Sequence, residues 1–391
     1  MCRTKSGRTE RAAAFSAALA AVCQLACAAW GLEPLTVETG GVQMELSAQE
    51  TLLTRADAMD GGLSYFPDTA SVLLSRRPLR LLVTAGTSVY LFEGEDMRSL
   101  RAGAQVLAPG RPGEFDNGYA GVCGVHRFPD GTLYAVYHAE DHEGMADVGP
   151  GVPGYYAQIG SAVSMDGGLS FVKTGVALRS RQAKEPGGMP DQGAGEACLT
   201  LGRGGDFLLL YYVDHSRAEG RGVQICVARA SIQNGKPPAP EDWEKWRGGA
   251  FSEPGMGGLD DPVMSGLNIG ADATFPHVVW MPALERYVMF FNMNAWREYA
   301  GGNPPMKPFH SGIYVSTSEN GIDWTMPAQI MRAFSVAVPY KELAWHPALI
   351  MDDPNGREGW LIYGYSPRWH HLDRGGEPHF MAGRRVRFHR Q

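Results

Sequence analysis

Acidic side chains at the start of apolar runs are the residues of this sequence best suited to chemistry. Glu196 stands in Gly195-Glu-Ala-Cys198, at the beginning of such a run. Burying a carboxylate without a partner is costly, so Glu196 is expected to line a wet funnel or to have a partner. Asp68 and Asp116 stand before two other runs. Carboxylates gathered in one funnel can differ in pKa, so that one is protonated while another is ionised, as acid–base catalysis requires.

An internal repeat is the feature that must position these carboxylates. Short apolar runs recur, each followed by a turn and by a second, more aromatic run, and five copies can be counted. Such periodic short strands with Gly and Pro turns predict an all-β fold, a five-bladed β-propeller of four-stranded antiparallel blades over residues 60–391. A pair of β-sandwiches is the alternative. The positions that we align as equivalent are Thr69, Gly121, Glu196, Phe275 and His346.

Two turns carry a further motif. Ser164-Met-Asp-Gly-Gly-Leu-Ser-Phe171 fits the Asp-box pattern, and residues 317–324 are a near match with Glu319 in place of the aspartate. In such a turn the carboxylate accepts hydrogen bonds from backbone amides and Gly permits a positive φ. Asp166 and Glu319 are therefore predicted to be structural residues.

Composition and the N-terminus restrict the class of protein. The chain has 50 Gly and 26 Pro among 391 residues, a net charge of −7 and no basic run in its body, which disfavours nucleic acid as a partner. Arg3 and Arg11 lie among the basic residues that precede an uncharged, Ala-rich stretch ending near Ala26-Cys-Ala28. Residues 1–28 are predicted to be a signal peptide, with a membrane anchor as the alternative. We therefore expect a secreted or periplasmic protein with no membrane association after cleavage, in which residues 29–59 form an N-terminal extension or a closing strand.

Three cysteines remain after that cleavage, namely Cys123, Cys198 and Cys226. We expect them to be small buried residues, because a free cysteine behaves as a compact apolar side chain. A Cys123–Cys198 bridge is left open.

On these repeats and turns the chain resembles the five-bladed β-propeller glycosidases, the group that contains glycoside hydrolase families 43 and 32, and its Asp boxes are similar to those of sialidases. The resemblance covers roughly residues 60–391. It implies a secreted glycoside hydrolase acting on an arabinose-, xylose- or galactose-type residue of an oligo- or polysaccharide. The sequence lacks the Asn-Asp-Pro-Asn-Gly and Arg-Asp-Pro motifs of family 32 and the Arg-Ile-Pro segment of sialidases.

The resemblance also implies roles for single residues. Glu196 would be the general acid and Asp68 the base or nucleophile. Asp116 would be the charge that raises the pKa of the acid, with Asp191 competing for that role. No cofactor is required. A structural calcium ion is compatible with His346, which resembles an axial histidine of family 43, although a purely structural imidazole fits equally well.

Loop residues on the same predicted face are candidates for binding the substrate. Aromatic rings could stack on a sugar face, and arginines could instead bind a carboxylate. For Trp345 and Trp360 we favour packing between blades. The segment from His138 to His142, which includes Glu140, could ligate a metal, but an exposed acidic loop is favoured. The substrate-binding candidates are His138, Asp214, Trp296, Arg297, His346, Arg368 and Trp369.

Two alternatives remain open at this stage. The first is a sialidase-like exo-hydrolase with an arginine cluster and a tyrosine nucleophile such as Tyr363 or Tyr365. The second is a carbohydrate-binding propeller without catalysis, since a fold alone does not imply an activity.

Overall fold

The computed structural model describes residues 33–54, 56–57, 63, 66–147, 153–217, 222–266, 271–295, 310–333, 341–369 and 380–391. The side chains of residues 295, 341, 368 and 369 are outside this description. The predicted signal peptide, residues 1–28, also lies outside the described residues. Within the described ranges there is no helix long and apolar enough to cross a membrane.

The described chain is built almost entirely of β-strands. The first three are β1 (Leu35–Thr39), β2 (Val42–Leu46) and β3 (Glu50–Leu53). Group 1 consists of β4 (Val72–Arg76), β5 (Leu79–Ala85), β6 (Ser88–Gly94) and β7 (Arg101–Leu107). Group 2 consists of β8 (Tyr119–Arg127), β9 (Leu133–Asp141), β10 (Tyr155–Ser164) and β11 (Val172–Leu178).

Group 3 consists of β12 (Asp191–Leu201), β13 (Phe207–Asp214), β14 (Gln224–Ser231), β15 (Glu244–Arg247), β16 (Ala250–Pro254) and β17 (Pro262–Met264), with a short 3₁₀ helix at Pro240–Asp242. Group 4 consists of β18 (Ala271–Met281), β19 (Arg286–Ala295), β20 (Gly312–Ser318) and β21 (Ala328–Arg332). Group 5 consists of β22 (Lys341–Met351), β23 (Glu358–Trp369) and β24 (Phe380–Arg390).

These groups form four sheets. Groups 1 and 4 are separate four-stranded antiparallel sheets in sequential order. Groups 2 and 3 form one ten-stranded sheet, in which the two antiparallel groups meet through a short parallel pairing of Tyr155–Ala157 in β10 with Asp191–Gly193 in β12. The all-β fold predicted from the sequence is therefore confirmed, and the sheets consist of consecutive antiparallel groups.

The N-terminal strands belong to the sheet that ends the chain. Strand β2 pairs with β24 from Val42↔Arg390 to Leu46↔Val386, and β1 pairs with β2 on its outer side. Strand β3 pairs with the opposite half of β24. The first and the last strands of the chain are thus joined by backbone hydrogen bonds, which ties the two ends of the fold together.

The first strands of the groups follow one another around a ring. Strand β4 contacts β8, β8 contacts β12, β12 contacts β18, β18 contacts β22, and β22 contacts β4. Five clusters of buried apolar side chains are found among the described residues, and each is shared by two groups that neighbour one another in this ring. Burial of apolar surface between neighbouring groups is the main force that holds them together.

Two cysteines link first strands of neighbouring groups. The Cys123 sulfur on β8 accepts a hydrogen bond from the Ala197 amide on β12 at 3.4 Å, and the Cys198 sulfur accepts one from the Val278 amide on β18 at 3.2 Å. Burial raises the pKa of both thiols to about 12. Cys123, Cys198 and Cys226 are buried thiols, which confirms the expectation of small buried residues, and Cys123 and Cys198 form no disulfide bridge.

The first of the two motif turns has the hydrogen bonds expected of its aspartate. The Asp166 carboxylate accepts from the amides of Leu169 and Ser170 at 3.0 and 3.1 Å and from two serine hydroxyls. These hydrogen bonds lower the pKa of Asp166, and the hydrogen bond from the Ser170 hydroxyl has the largest effect.

The second motif turn differs by one residue from the prediction. Asn320, and not Glu319, accepts from the amides of Ile322 and Asp323, both at 2.9 Å. Glu319 is exposed and pairs with Arg286 at 2.7 Å. The prediction of a structural role for Glu319 in this turn is wrong, because the turn is one residue shorter than the first and its hydrogen bonds therefore use the next side chain.

Candidate active site

A cavity of about 160 Å³ opens where the first strands of all five groups meet. Its walls come from the segment before β4 and from β8, β12, β18 and β22, with three further residues from β9 and β10. No lysine or arginine is among the described residues that line it. The lining residues are Asp68, Thr69, Ala70, Tyr119, Cys123, His138, Glu140, Tyr155, Glu196, Ala197, Phe275, Pro276, Trp345 and His346.

Three of the first strands aim a side chain into this cavity by the same local distortion. Glu196, Phe275 and His346 have φ values of 45°, 54° and 53°. At each of them the pairing with the next strand shifts register, so that two residues oppose one. Such β-bulges redirect a side chain, and a positive φ in a residue other than Gly is strained. The three residues occupy the equivalent positions that the sequence repeat aligned.

Three carboxylates face the cavity and influence one another. Burial raises the pKa of Asp68 well above its usual range, and the charges of Glu140 and Glu196 raise it further. Burial also raises the pKa of Glu196, an effect that His215 and His138 oppose and that Glu140 and Asp191 reinforce. One oxygen of Glu196, Oε2, is buried without a hydrogen-bond partner in the described structure. Asp68 and Glu196 are therefore poised to carry a proton in conditions where ordinary carboxyls have lost it.

Glu140 is the exception, because two histidines hold it as an anion. His138 Nε2 lies 2.9 Å from Glu140 Oε1, and His142 Nε2 lies 2.6 Å from Oε2. Burial alone would raise the pKa of Glu140, but the hydrogen bonds that its carboxylate accepts from His138 and His142 outweigh it and lower the pKa to about 2. The cavity thus holds one fixed negative charge beside two carboxyls of raised pKa.

A second layer of charged side chains lies behind Glu196. The His215 ring is buried, and its Nδ1 lies 3.6 Å from Asp191 Oδ2, while Arg217 pairs with the same oxygen at 2.5 Å. Burial lowers the pKa of His215, but Asp191 and Glu196 outweigh it and raise that pKa. The Tyr155 ring lies edge-on between His138 and His215, with both centroids 5.9 Å away. Asp191 is therefore committed to its own ion pair and does not line the cavity.

One wall of the cavity is aromatic. The rings of Phe275 and His346 lie 4.1 Å apart, and the Trp345 ring lies 5.0 Å from that of His346. His346 Nε2 is 3.8 Å from Asp68 Oδ1. Trp345 thus lines the cavity, whereas Trp360 packs in the apolar cluster between groups 5 and 1, as predicted. Flat apolar faces beside carboxylates suit a ligand with one apolar face and several hydroxyl groups.

The structure brings four of the predicted site residues to this cavity, namely Asp68, Glu196, His138 and His346. Asp116 does not line it. Its side chain is 1% exposed, accepts a hydrogen bond from Tyr137 at 2.9 Å and pairs with Lys173 at 2.5 Å. A carboxylate enclosed by these partners is a structural ion pair, which corrects the expectation that Asp116 acts on the catalytic acid.

Asp214 lies behind the cavity wall and not in it. Its carboxylate is buried, accepts from Ser180 at 3.1 Å and from Ser216, and has a pKa raised by burial and by the nearby Asp260. The expectation that Asp214 contacts the ligand is corrected accordingly.

Four other predicted residues have no described side chain. Trp296 and Arg297 lie outside the described residues, and Arg368 and Trp369 are described only as backbone of β23. The two tyrosines of the sialidase-like alternative are engaged away from the cavity, Tyr363 with Gln49 at 2.7 Å and Tyr365 with Glu342 at 2.6 Å. Across the described residues no group of three or more His, Cys, Asp or Glu side chains is arranged to hold a metal ion.

Sequence reasoning missed three lining residues, Glu140, Tyr119 and Tyr155. Glu140 lies in a polar segment that reads as a loop, yet it pairs with Ala157 on β10 as the penultimate residue of β9. Tyr119 and Tyr155 are the first residues of β8 and β10. The available signal was their position: in antiparallel strands the start of one and the end of the next lie at the same edge of the sheet.

Comparison with known proteins supports the fold. No family model and no curated protein matches the sequence. An α-L-arabinofuranosidase from Fusarium graminearum, solved with an iminosugar inhibitor, matches 88% of this chain and 98% of its own at 12% identity, with a TM-score of 0.50. The chain shares an all-β, propeller-like fold with this enzyme. The resemblance drawn from the sequence is thus confirmed at the level of the fold, and an identity this low shows the fold alone.

Two other solved structures give comparable matches. A thermostable family-43 glycoside hydrolase is 13% identical over 84% of this chain and 91% of its own, with a TM-score of 0.49. A family 117 glycoside hydrolase from the marine bacterium Zobellia galactanivorans is 13% identical over 91% of this chain and 83% of its own, with a TM-score of 0.47.

Proposed function

We propose that this protein is a glycoside hydrolase whose five strand groups are the blades of a five-bladed β-propeller, with the cavity at the blade axis as its active site. The observation that carries the proposal is the presence of Asp68 and Glu196, two carboxyls of raised pKa from different groups, in one small cavity. The fold supports the reading, because propeller glycosidases share it.

The arrangement suits hydrolysis of an acetal by two carboxyl groups. One of them protonates the leaving oxygen, while the other, ionised, activates water or attacks the anomeric carbon. We assign Glu196 as the acid, as the resemblance implies, and Asp68 as the base or nucleophile. The pKa of Asp68 is the more strongly raised in the unliganded cavity, first by burial and then by Glu140, which repels its negative charge. A sugar that develops positive charge in the transition state offsets that repulsion and favours ionised Asp68.

The size and lining of the cavity favour one neutral sugar residue. A volume of about 160 Å³ is well below the roughly 300–1,000 Å³ of pockets that hold drug-sized ligands. Cationic side chains, which a carboxylate-bearing sugar would require, are absent from its described lining. We therefore propose an arabinose-, xylose- or galactose-type residue of an oligo- or polysaccharide as the substrate. We also propose that no cofactor enters the reaction, because two carboxyl groups suffice for it.

We further propose that the protein acts outside the cytoplasm, on the evidence of residues 1–28 in the sequence. Expression with the native N-terminus, cell fractionation and N-terminal sequencing of the exported form test this point. Retention of residues 1–28 in the active protein would refute it.

The experiment for the function is a screen of aryl arabinofuranosides, xylosides and galactosides with the wild type, Glu196→Gln and Asp68→Asn. We expect one glycoside to be hydrolysed and both variants to lose at least about 100-fold in kcat, in line with the value of a positioned acid or base. If the wild type binds sugars but hydrolyses none of these glycosides, the protein is a carbohydrate-binding propeller. A fully active Glu196→Gln variant would refute the assignment of the acid.

The leaving group separates the two roles. Protonation matters most for a poor leaving group, so Glu196→Gln is expected to lose far less activity on a dinitrophenyl glycoside than on a phenyl glycoside. Asp68→Asn is expected to lose activity on both. The reverse pattern would exchange the two assignments and leave the proposed reaction in place.

A further inference from the structure

The backbone of Glu196 is held by a side chain from the neighbouring group. The Glu196 amide donates a hydrogen bond of 3.0 Å to His138 Nδ1 on β9. This amide belongs to the strained bulge in the middle of β12, where φ is 45°. A bulge leaves its extra residue outside the regular ladder of hydrogen bonds, so a partner for its amide must come from elsewhere. His138 supplies that partner.

The protonation of the His138 ring follows from this contact. Nδ1 accepts the amide hydrogen and therefore carries no proton itself, which places the proton of the neutral ring on Nε2. Nε2–H then donates to Glu140 Oε1 at 2.9 Å, and His142 binds the other oxygen. One continuous chain of hydrogen bonds thus runs from His142 through Glu140 and His138 to the Glu196 amide.

Two glycines make room for the two histidine rings. A Cβ placed on Gly195 would lie 2.3 Å from His138 Nδ1, and a Cβ on Gly118 would lie 2.3 Å from the His142 ring. Neither distance is compatible with any larger residue, and neither glycine has a positive φ that would otherwise require it. The two glycines therefore allow the two imidazole rings to approach the backbone closely. This is independent evidence that the fold requires the rings of His138 and His142 at these positions.

From these contacts we propose that His138 is a positioning residue: as a neutral imidazole anchored by Glu140, it holds the bulge that aims the Glu196 carboxyl into the cavity. This role rests on the proposed function, since it concerns the residue assigned there as the acid. It differs from the substrate-binding role expected from the sequence. Group 4 provides a parallel, because Asn292 on β19 donates to the Ala344 carbonyl beside the bulge of group 5 at 2.9 Å.

The two hydrogen bonds of His138 can be separated by substitution. In His138→Asn the amide oxygen takes the place of Nδ1 and can still accept from Glu196, while the donor to Glu140 is lost. In His138→Gln the terminal NH₂ takes the place of Nε2 and can still donate to Glu140, while the acceptor near Glu196 is lost. His138→Ala removes both. The matched control is His126→Asn, since the His126 ring packs edge-to-face against Phe128, with the centroids 4.8 Å apart, and does not line the cavity.

On the glycoside that the wild type hydrolyses, His138→Gln and His138→Ala are expected to lose about 100-fold in kcat with KM within about twofold, because misplacement of a reacting group by about 1 Å has that effect. His138→Asn is expected to stay within about tenfold of the wild type. Equal losses in Asn and Gln variants would overturn the proposal. So would a rise in KM at unchanged kcat, which would indicate substrate binding.

A readout without catalysis keeps this inference separate from the proposed function. Amide hydrogen exchange, followed by mass spectrometry on peptides that contain Glu196, is expected to be at least about tenfold faster in His138→Gln than in the wild type or His138→Asn. If the wild type hydrolyses no glycoside, the proposed function fails while this measurement still decides the inference. Nitrogen-15 NMR of the wild-type imidazoles tests it without any variant, and a proton on His138 Nδ1 would overturn it.

Discussion

Replacing Glu140 by glutamine tests whether the cavity holds a fixed negative charge. The pKa of Glu140 falls from an ordinary 4.5 to about 2 in the folded protein. A lowered carboxyl pKa stabilises the folded state at every pH above the unfolded value, and this contribution is lost as the pH falls through the folded value. At about 1.4 kcal/mol for each tenfold change in proton affinity, the contribution is about 3 kcal/mol at pH 7.

Glutamine has the shape of a protonated glutamate but carries no charge, so the difference between wild type and Glu140→Gln follows the ionisation of Glu140. We expect the wild type to be the more stable by about 3 kcal/mol at pH 7, and linkage reduces this gap to about 1 kcal/mol at pH 3. The assay is urea unfolding at pH 7, 5, 4 and 3.

The matched control is Glu143→Gln, three residues along the chain and exposed. Its free energy of unfolding is expected to stay within about 0.5 kcal/mol of the wild type at each pH. A gap for Glu140→Gln that stays constant between pH 7 and pH 3 would refute the reasoning, because a packing defect does not titrate. A gap below about 1 kcal/mol at pH 7 would mean that the two histidines do not hold Glu140 as an anion.

Three further predictions concern residues outside the cavity chemistry. Cys198→Ala is expected to lower the free energy of unfolding by about 1–3 kcal/mol, because it leaves a buried amide on β18 without its acceptor; an unchanged urea midpoint would contradict this. Asp166→Ala and Asn320→Ala should each lower the melting temperature while Glu319→Ala leaves it close to the wild-type value, and thermal melting of the three variants checks this order. Asp116→Asn is expected to lower stability while leaving kcat/KM within about threefold, and a 100-fold loss of kcat/KM in a folded variant would restore Asp116 to the site.

The sequence indicated residues of the cavity where these residues occupy equivalent positions of the internal repeat. The first strand of each group is an apolar run that recurs along the chain. Aligning these runs makes Glu196, Phe275 and His346 equivalent on the sequence alone. The structure places all three at bulges of the same kind. The alignment worked because the same bulge recurs at the equivalent position of three first strands.

The failures concern partners that are distant in the sequence. Asp68 and Asp116 look alike as acids before an apolar run, but Asp116 meets Lys173 from β11, a contact that no local pattern encodes. Glu140 reads as part of an exposed loop, because its neighbours are polar, yet β8 and β10 flank it on both sides. In both cases the state of a carboxylate is decided by a group that approaches across strands, and spacing along one strand does not reveal it.

The bulges explain how side chains of the first strands reach the cavity at the centre of the fold. A regular strand alternates its side chains between the two faces of its own sheet, and both faces are packed against neighbouring groups. At Glu196, Phe275 and His346 a break in that alternation turns the side chain toward the space between the first strands. The strained backbone at Glu196 is thus a condition for the carboxyl to reach the cavity, and the same distortion presents aromatic rings at Phe275 and His346. Because the distortion is common to three groups while the side chains differ, the residue type at this position decides whether the cavity receives a carboxyl group or an aromatic ring, and at Glu196 a side chain of the neighbouring group holds the bulge in place.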